Sequence, residues 1–336
     1  MKWMAIDIGG ANLKAADGEG FAESQPFPLW QQPRRLAEAL RALLAMVPRV
    51  DHVAATMTGE LADCFTTKTE GVHAILEAIS VAADARHTRI YLTDGTLVSP
   101  QVARKKPLMA AASNWHALAK FCGRYARHGS AVLVDIGSTT CDIIPLIDGK
   151  PVTLGRTDPA RLASGELVYT GVERSPVCAV VGAIPWRGKK YPVAHELFAT
   201  TWDAYLTLGD LLEEPHSTHT ADRKPATKAA ARDRLARTIC ADRDMFSAAD
   251  AEAAARHIAQ AQLVRLTKTL TRVLARLAGR VETAVISGRG EFLCRRMFEA
   301  LQLAPRLVSL SHELGTNLSR CATAHALAVL AREGSS

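Results

Sequence analysis

The sequence predicts a duplicated α/β fold, two domains facing each other across a ligand cleft, and three stretches of its 336 residues predict it. Residues 131–146 (AVLVDIGSTTCDIIPL) form an apolar run that delivers Asp135, a turn of Gly137, Ser138, Thr139 and Thr140, and a second apolar run that resumes at Ile143 just after Asp142. That pattern is a β-hairpin whose tight turn offers backbone N–H groups and hydroxyls to an anion, with a carboxylate at each shoulder. Residues 1–16 (MKWMAIDIGGANLKAA) repeat the design: an apolar run, Asp7, then Gly9, Gly10, Ala11 and Asn12, then a return run carrying Lys14. Two copies, one opening each half of the chain, imply a duplication with the turns facing each other. The third stretch, residues 283–287 (TAVIS), is a short apolar strand that runs into Gly288-Arg289-Gly290-Glu291 and then a helix.

Composition narrows the class. The chain is long enough for two full cores, and its 48% hydrophobic content is that of a globular protein. No run approaches the roughly 18 apolar residues of a membrane span, and the N-terminus enters a strand without a basic n-region or cleavage site. A cytoplasmic enzyme with no membrane partner is expected. The seven cysteines (64, 122, 141, 178, 240, 294, 321) are odd in number and never spaced as CxxC, so reduced core thiols are expected and neither a disulfide framework nor a zinc knuckle. The net charge of +7 would admit nucleic acid, but Arg and Lys are spread along helices and aromatics are only 5%. No nucleic-acid partner is expected; the charge is either solvated helix faces or a field that draws in a phosphorylated substrate.

In the first half, strands over 3–8 and 13–17 and a short one around 21–24 precede a helix over 33–46, which a proline opens and leucines at 36, 40, 43 and 44 anchor. Residues 51–57 form the next strand, 69–85 a helix and 89–92 another strand. Ligand groups gather at the carboxyl ends of parallel strands. Thr58, Glu60 and Asp94 stand there, although Thr58 also suits a helix cap and Asp94 before Gly95 a turn. Glu60 and Lys68 read either as cleft residues or as surface charge. Ser113 caps a helix over 116–127, with Asn114 at its start as a possible ligand group and Trp115 as core or stacking wall. The boundary falls near 127–130, giving domains 1–128 and 129–336.

In the second half, residues 151–154 read as a third strand, and 164–177 (SGELVYTGVERSPV) as a polar extended segment of the kind that lines clefts, carrying Glu166, Thr170, Gly171 and Arg174. Arg174 suits a phosphate or a surface ion pair. A strand over 177–181 and a helix over 195–212 follow, the helix placing Asp203 and Asp210 on one face. Residues 213–226 are linker-like; His216, His219 and Asp222 are either metal ligands or part of a polar loop that orders over the cleft. Helices over 227–242 and 247–279 make up most of a helical insertion at about 195–280. The second is opened by Ser247 and Asp250, closed by Gly279, and carries apolar residues at 263, 266, 270, 273 and 277. Its length also offers a face for a homodimer. A helix over 292–301, a strand over 307–309 and a terminal helix over 318–332 complete the chain.

The two turns resemble the phosphate loops of the actin, Hsp70 and sugar-kinase superfamily, and Ser287-Gly288-Arg289-Gly290-Glu291 resembles the loop that sits beside the nucleotide there. The resemblance implies a duplicated actin-like ATPase (ribonuclease H-like) fold. It narrows with DIGGANLKAAD, MTGEL with KTEGV downstream, ASNW, VDIGSTTCDIIP, GELVYTGVERSPV, a histidine-bearing TAD segment, ISGRGEFL and GTNLSRCATAHALAVL. Together these are similar to one branch of the hydantoinase/oxoprolinase group, the methanofuran-pathway synthases and their relatives in methylotrophic bacteria, which accompany tetrahydromethanopterin-linked one-carbon metabolism.

That resemblance implies a transferase that joins an aminomethyl-furan methyl diphosphate to the phenol of γ-glutamyl-tyramine as an aryl ether, releasing diphosphate. On it, Gly9, Gly10, Asn12, Gly137, Ser138, Thr139 and Thr140 cradle the diphosphate, Asp7 and Asp135 hold Mg2+ directly or through water, and Lys14 neutralises phosphate oxygens. Glu60 is the first candidate for the phenol's base and Asp142 the second. Asn114, Glu166, Gly171, Arg174, Ser287, Gly288, Gly290 and Glu291 line the substrate or nucleotide. The partners are then a phosphorylated small molecule and a phenolic amine. Other readings stay open: an ATP-dependent kinase or ATPase with adenosine at residues 287–291, a ring-opening enzyme of the hydantoinase type, and a sugar-sensing regulator, which would want a DNA-binding module that does not precede Trp3.

Overall fold

A computed structural model describes residues 2–334. The two apolar hairpins become the centres of two six-stranded sheets. The first takes β1 (Trp3–Ile8), β2 (Asn12–Ala16), β3 (Ala22–Pro26), β4 (His52–Met57), β5 (His87–Tyr91) and β6 (Leu97–Val98) in the order β3-β2-β1-β4-β5-β6. Its helices are α1 (Leu36–Ala45), α2 (Lys68–Ala83), the short α3 (Pro100–Arg104) and α4 (Pro107–Ala110), and α5 (Asn114–Cys122). The second unit contains β7 (Ser130–Ile136), β8 (Cys141–Ile147), β9 (Lys150–Pro151), α6 (Asp158–Ser164), β10 (Leu167–Val168), α7 (Val177–Val180), β11 (Ala183–Trp186) and β12 (Lys189–Pro192). It continues through α8 (Thr201–Leu208), α9 (Lys228–Arg237), α10 (Ala248–Leu274), β13 (Thr283–Ser287), α11 (Glu291–Ala300), β14 (Arg306–Ser309), α12 (Leu310–Arg320) and α13 (Ala322–Glu333). Its sheet order is β10-β8-β7-β13-β14, with β9 also on β8.

The sheets repeat one topology. In each, a hairpin strand (β1 or β7) pairs antiparallel with its successor on one side and parallel with a later strand (β4 or β13) on the other. Parallel pairing needs a crossover and buries both sheet faces. Helices α1 and α2 cover one face of the first sheet, α10 and α11 the outer face of the second. Between the sheets lie α5 and α13: Ala117, Leu327, Ala328 and Ala331 pack on Trp3, Ala5, Ala54 and Tyr91, while Leu118, Ala119, Ala326 and Val329 pack on Ala131, Leu133, Ile144 and Leu146. Their alanines let the helix backbones approach both sheets. The terminal helix is therefore shared by both sheets, whatever its place in the chain order. This is the duplicated actin-like fold.

Several expected elements differ. Residues 177–181 form a helix, α7, and not a strand, because Pro176 starts a helical turn closed by Val181 N–H on Val177 O. Of the expected third strand over 151–154, Pro151 pairs with Leu146 and Val152 N–H donates to Pro145 O, but the Leu154 and Gly155 N–H groups donate instead to the Glu166 carboxylate at 2.8 and 2.9 Å. Helix α8 begins at Thr201 and stops at Gly209, left-handed at φ +80°, so Asp203 and Asp210 do not share a helical face. Asp203 is buried against Arg234 at 2.7 Å; Asp210 pairs with Arg296 at 2.6 Å. The single terminal helix is two, parted at Cys321, whose Sγ–H donates to Glu23 O of β3 at 3.3 Å. No helix among the described residues is long and apolar enough to cross a membrane.

Candidate active site

Both hairpins turn in the same way. Gly9 N–H donates to Asn12 O at 3.0 Å, and Gly137 N–H donates to Thr140 O at 2.9 Å. The strand beside each hairpin ends in a backbone clasp: Thr58 and Gly59 N–H donate to Ile8 O, and Gly290 N–H donates to Ile136 O. A further clasp holds the second turn, where Val172 N–H donates to Gly137 O and the N–H groups of Glu173 and Arg174 donate to Ser138 O. Glycine is needed at two of these approaches. A Cβ on Gly171 would lie 2.5 Å from Gly137 O, and one on Gly288, at φ +87°, would meet Ile136 O and stand 2.8 Å from Asp135 Oδ1. Gly288→Ala should displace Asp135 and cost roughly 1–3 kcal/mol of stability. Thermal unfolding reads this, and an unchanged midpoint would mean that the approach tolerates a Cβ.

Burial without compensation marks the carboxylates at the turns. Asp7 is 7% exposed and its Oδ1 has no partner; burial pushes its carboxyl up to about 6, opposed by Lys14. Asp135 is pushed up to about 6 by burial and by Asp142, against a hydrogen bond from Ser287 and the Lys14 charge. One ammonium thus acts on both aspartates, from both halves of the chain. Among the described residues no group of three or more His, Cys, Asp or Glu side chains is disposed to hold a metal. A cation here would draw on Asp7, Asp135, phosphate oxygens and water, the ligand set Mg2+ favours. The orphaned Asp7 oxygen and the charge-starved pair fit such an ion.

The duplicated hairpins differ at one charged position. Lys14 stands opposite Asp7 across the first, whereas Asp142 stands opposite Asp135 across the second. Arg161, 1% exposed on α6, supplies the missing cation: its guanidinium donates to Asp142 Oδ1 at 2.5 Å and to Glu166 O at 3.1 Å, and lies 4.1 Å above the Trp115 ring. Burial raises the Asp142 carboxyl while Arg161 opposes that. From Arg161 the charges continue to Asp158 at 3.9 Å, from Asp158 to Lys68 Nζ at 2.7 Å, and from Lys68 to Glu60 Oε1 at 3.7 Å. Lys68 and Glu60 belong to the first unit, Asp158 and Arg161 to the second, so the chain of charges spans the cleft. Glu60 is 1% exposed, its Oε2 lacks a partner, and burial pushes it up to about 7.

Other expected site residues fall into two groups. Glu166 accepts from Leu154, Gly155, Ser164 and Arg276 and is fully buried, so it is a scaffold residue and not a cleft residue. Glu291 accepts from Ser309 and Ser311, tying α11 to α12. Asn114 turns its Oδ1 to Trp115 N–H at 2.7 Å, and Trp115 is buried under Arg161. Asp222 is bound by Arg234 and Arg237, each at 3.1 Å, so it serves the loop and not a metal with His216 and His219. Arg174 lies beside the second turn, its N–H on Ser138 O. It lines a recess of about 100 Å³ with Thr139, Tyr169 and Arg265 and lies 6.0 Å from the ring of Trp30, which follows the Leu29 bonded to Gly10 O. Sequence reading missed Arg161, Asp158, Trp30, Tyr169 and Arg265; only the diverged Lys14/Asp142 pair hinted that a buried cation was wanting.

The hydantoinase/oxoprolinase family model matches residues 51–332. A (4-{4-[2-(γ-L-glutamylamino)ethyl]phenoxymethyl}furan-2-yl)methanamine synthase of Methanocaldococcus jannaschii is 33% identical over 330 residues, covering 97% of this chain and 96% of its own. A protein of the same name from Methanococcus vannielii is 29% identical over 203 residues, 60% of this chain and 90% of its own. Among solved structures, a chain of the PilM–PilN type IV pilus biogenesis complex superposes with a TM-score of 0.51 at 14% identity, covering 98% of each chain, a likeness of fold alone.

Proposed function

The chain belongs to the hydantoinase/oxoprolinase family, and from that premise we propose that it is a furan-cofactor synthase, joining an aminomethyl-furan methyl diphosphate to the phenol of a γ-glutamyl-tyramine-type acceptor. The substrates are those that the name of its synthase relatives implies. The observation that carries the chemistry is the charge deficit between the two turns, where Asp7 is buried and Asp135 half-buried with Lys14 as the cation acting on both. Mg2+ would relieve that deficit, and a diphosphate is the ligand that brings the ion with it.

In the reaction the bond between the furfuryl carbon and its diphosphate oxygen breaks, the electron pair leaving with the diphosphate, and the phenol oxygen forms the new bond to that carbon. Bound Mg2+ would neutralise the leaving group. The Gly9 and Gly137 N–H groups close their own turns, so the remaining turn N–H groups, the hydroxyls of Ser138, Thr139 and Thr140, and Lys14 hold the diphosphate oxygens and stabilise the charge that develops there. Asp7 and Asp135 would hold the ion. Glu60 takes the phenol proton: with its carboxyl near 7 it is better matched to a phenol than an ordinary carboxylate is. Asp142 is the weaker candidate for that task, because Arg161 already occupies its Oδ1. Arg174, beside Thr139, is placed to meet an acidic group on the acceptor.

Titration with the furan diphosphate and with ATP, each with magnesium, tests this reading. Tight binding of the furan compound, weak binding of ATP, and aryl ether formation on adding γ-glutamyl-tyramine are expected. Tight ATP binding with no response to the furan diphosphate would replace it with a kinase or ATPase.

A further inference from the structure

Lys68 occupies an unfavourable place for a cation. It is the first residue of α2, where the helix dipole repels positive charge. Asp158 is the first residue of α6, where a carboxylate is favoured. The lysine reaches across to Asp158 at 2.7 Å and leaves Glu60, its neighbour within the first unit, at 3.7 Å. Lys68 is therefore shared unequally between two carboxylates, one on each side of the cleft, and the side-chain exposures of 21% for Lys68 and 24% for Asp158 leave that pair reachable by water while Glu60 stays sealed.

We propose that Lys68 is a positioning residue that couples closure of the cleft to the proton affinity of Glu60: paired with Asp158 it leaves Glu60 able to take a proton, and released from Asp158 it turns to Glu60 and holds that carboxylate ionised. The assignment rests on the reading of Glu60 as the base. The groups acting on Glu60 are Lys68 from α2, Asp158 from α6, the Ala112 N–H before α5, and its own backbone N–H. Only the first two are charged, and they belong to different units. In the structure Asp158 already holds Lys68, so opening of the cleft is the step that would release the lysine to Glu60, and re-closure restores the proton affinity of the base. The proton then has an atom waiting for it, the unpartnered Oε2.

The test reads Glu60 directly in the ligand-free protein. Difference infrared spectroscopy follows the C=O band of the protonated carboxyl against pH, with Glu60→Gln identifying the band. Asp158→Asn should lower the midpoint by about one unit, because Lys68 is freed and a like charge is removed. Lys68→Met should raise it, and Lys68→Arg should stay near wild type. In the Lys68→Met background the effect of Asp158→Asn should fall to less than about half. An unmoved or raised midpoint in Asp158→Asn overturns the proposal. So does an equal shift in both backgrounds, which would mean direct repulsion between Asp158 and Glu60. The proposed reaction is judged separately by turnover: midpoints that shift as stated in a protein that does not form the ether would leave the coupling standing and sink the assignment of the reaction.

Discussion

Asp135→Asn should abolish magnesium-dependent binding of the furan diphosphate, weakening it by about 100-fold or more, some 2.7 kcal/mol. The substitution keeps the shape of the side chain and its place opposite Asp142. What it removes is one of the two carboxylates assigned to the ion. The same change relieves repulsion from Asp142 and the burial of an ionised group, so misfolding is not the expected route to lost binding.

The pH dependence separates these effects. The Asp7 and Asp135 carboxyls bind protons more tightly folded, at about 6, than their ordinary 3.8. Between those values the folded state holds more protons than the unfolded one, so the ion-free protein loses stability as the pH rises through the window. Each group accounts for roughly 2–3 kcal/mol by this argument. At pH 7.5 the ion-free Asp135→Asn protein should therefore unfold at the same temperature as wild type or higher, while magnesium diphosphate, which stabilises wild type, should leave it unmoved. Protons should also compete with the metal, so that wild-type affinity falls as the pH drops through about 6. Calorimetry and thermal unfolding at pH 5 and 7.5 decide the matter; binding retained by the variant would take Asp135 out of the metal site.

Arg161→Met should cost about 3–5 kcal/mol in urea unfolding, the range for stranding one member of a buried ion pair. The guanidinium is 1% exposed, holds Asp142 and a backbone carbonyl, and covers Trp115. Without it Asp142 faces Asp135 across the hairpin with no cation beside it. The double variant Arg161→Met/Asp142→Leu should recover much of the loss, because a buried pair replaced by apolar groups is often near neutral. A loss below about 1 kcal/mol for Arg161→Met, or no recovery in the double variant, would mean that Arg161 does not compensate the second hairpin.

The duplicated architecture was legible because its signals are local. An apolar strand, an aspartate, a four-residue turn and a return strand lie within 16 residues at each site, and a continuous apolar run broken by a glycine turn needs no information from elsewhere. For the same reason Asp7, Gly9, Gly137 and the turn hydroxyls could be nominated as phosphate ligands, and Gly288 through the strand that precedes it. Local reading failed where distant groups decide local structure. Residues 151–154 read as strand, but Glu166 takes the Leu154 and Gly155 N–H groups that would extend a ladder. Residues 195–200 read as helix, but the segment before the cap at Thr200 pairs elsewhere, Ala199 O accepting from Val177 N–H.

The sequence by itself determined the two matched hairpins, the parallel strands beside them and the charged residues at their ends. Only the tertiary structure decided which of those charges act together. Lys68 and Asp158 are 90 positions apart, and no periodicity relates Arg161 to Trp115. Helix and strand patterns follow from backbone geometry repeated every few residues, whereas the charge balance of a cleft depends on which distant side chains are buried together, where the cost of an unpaired ion selects the partner.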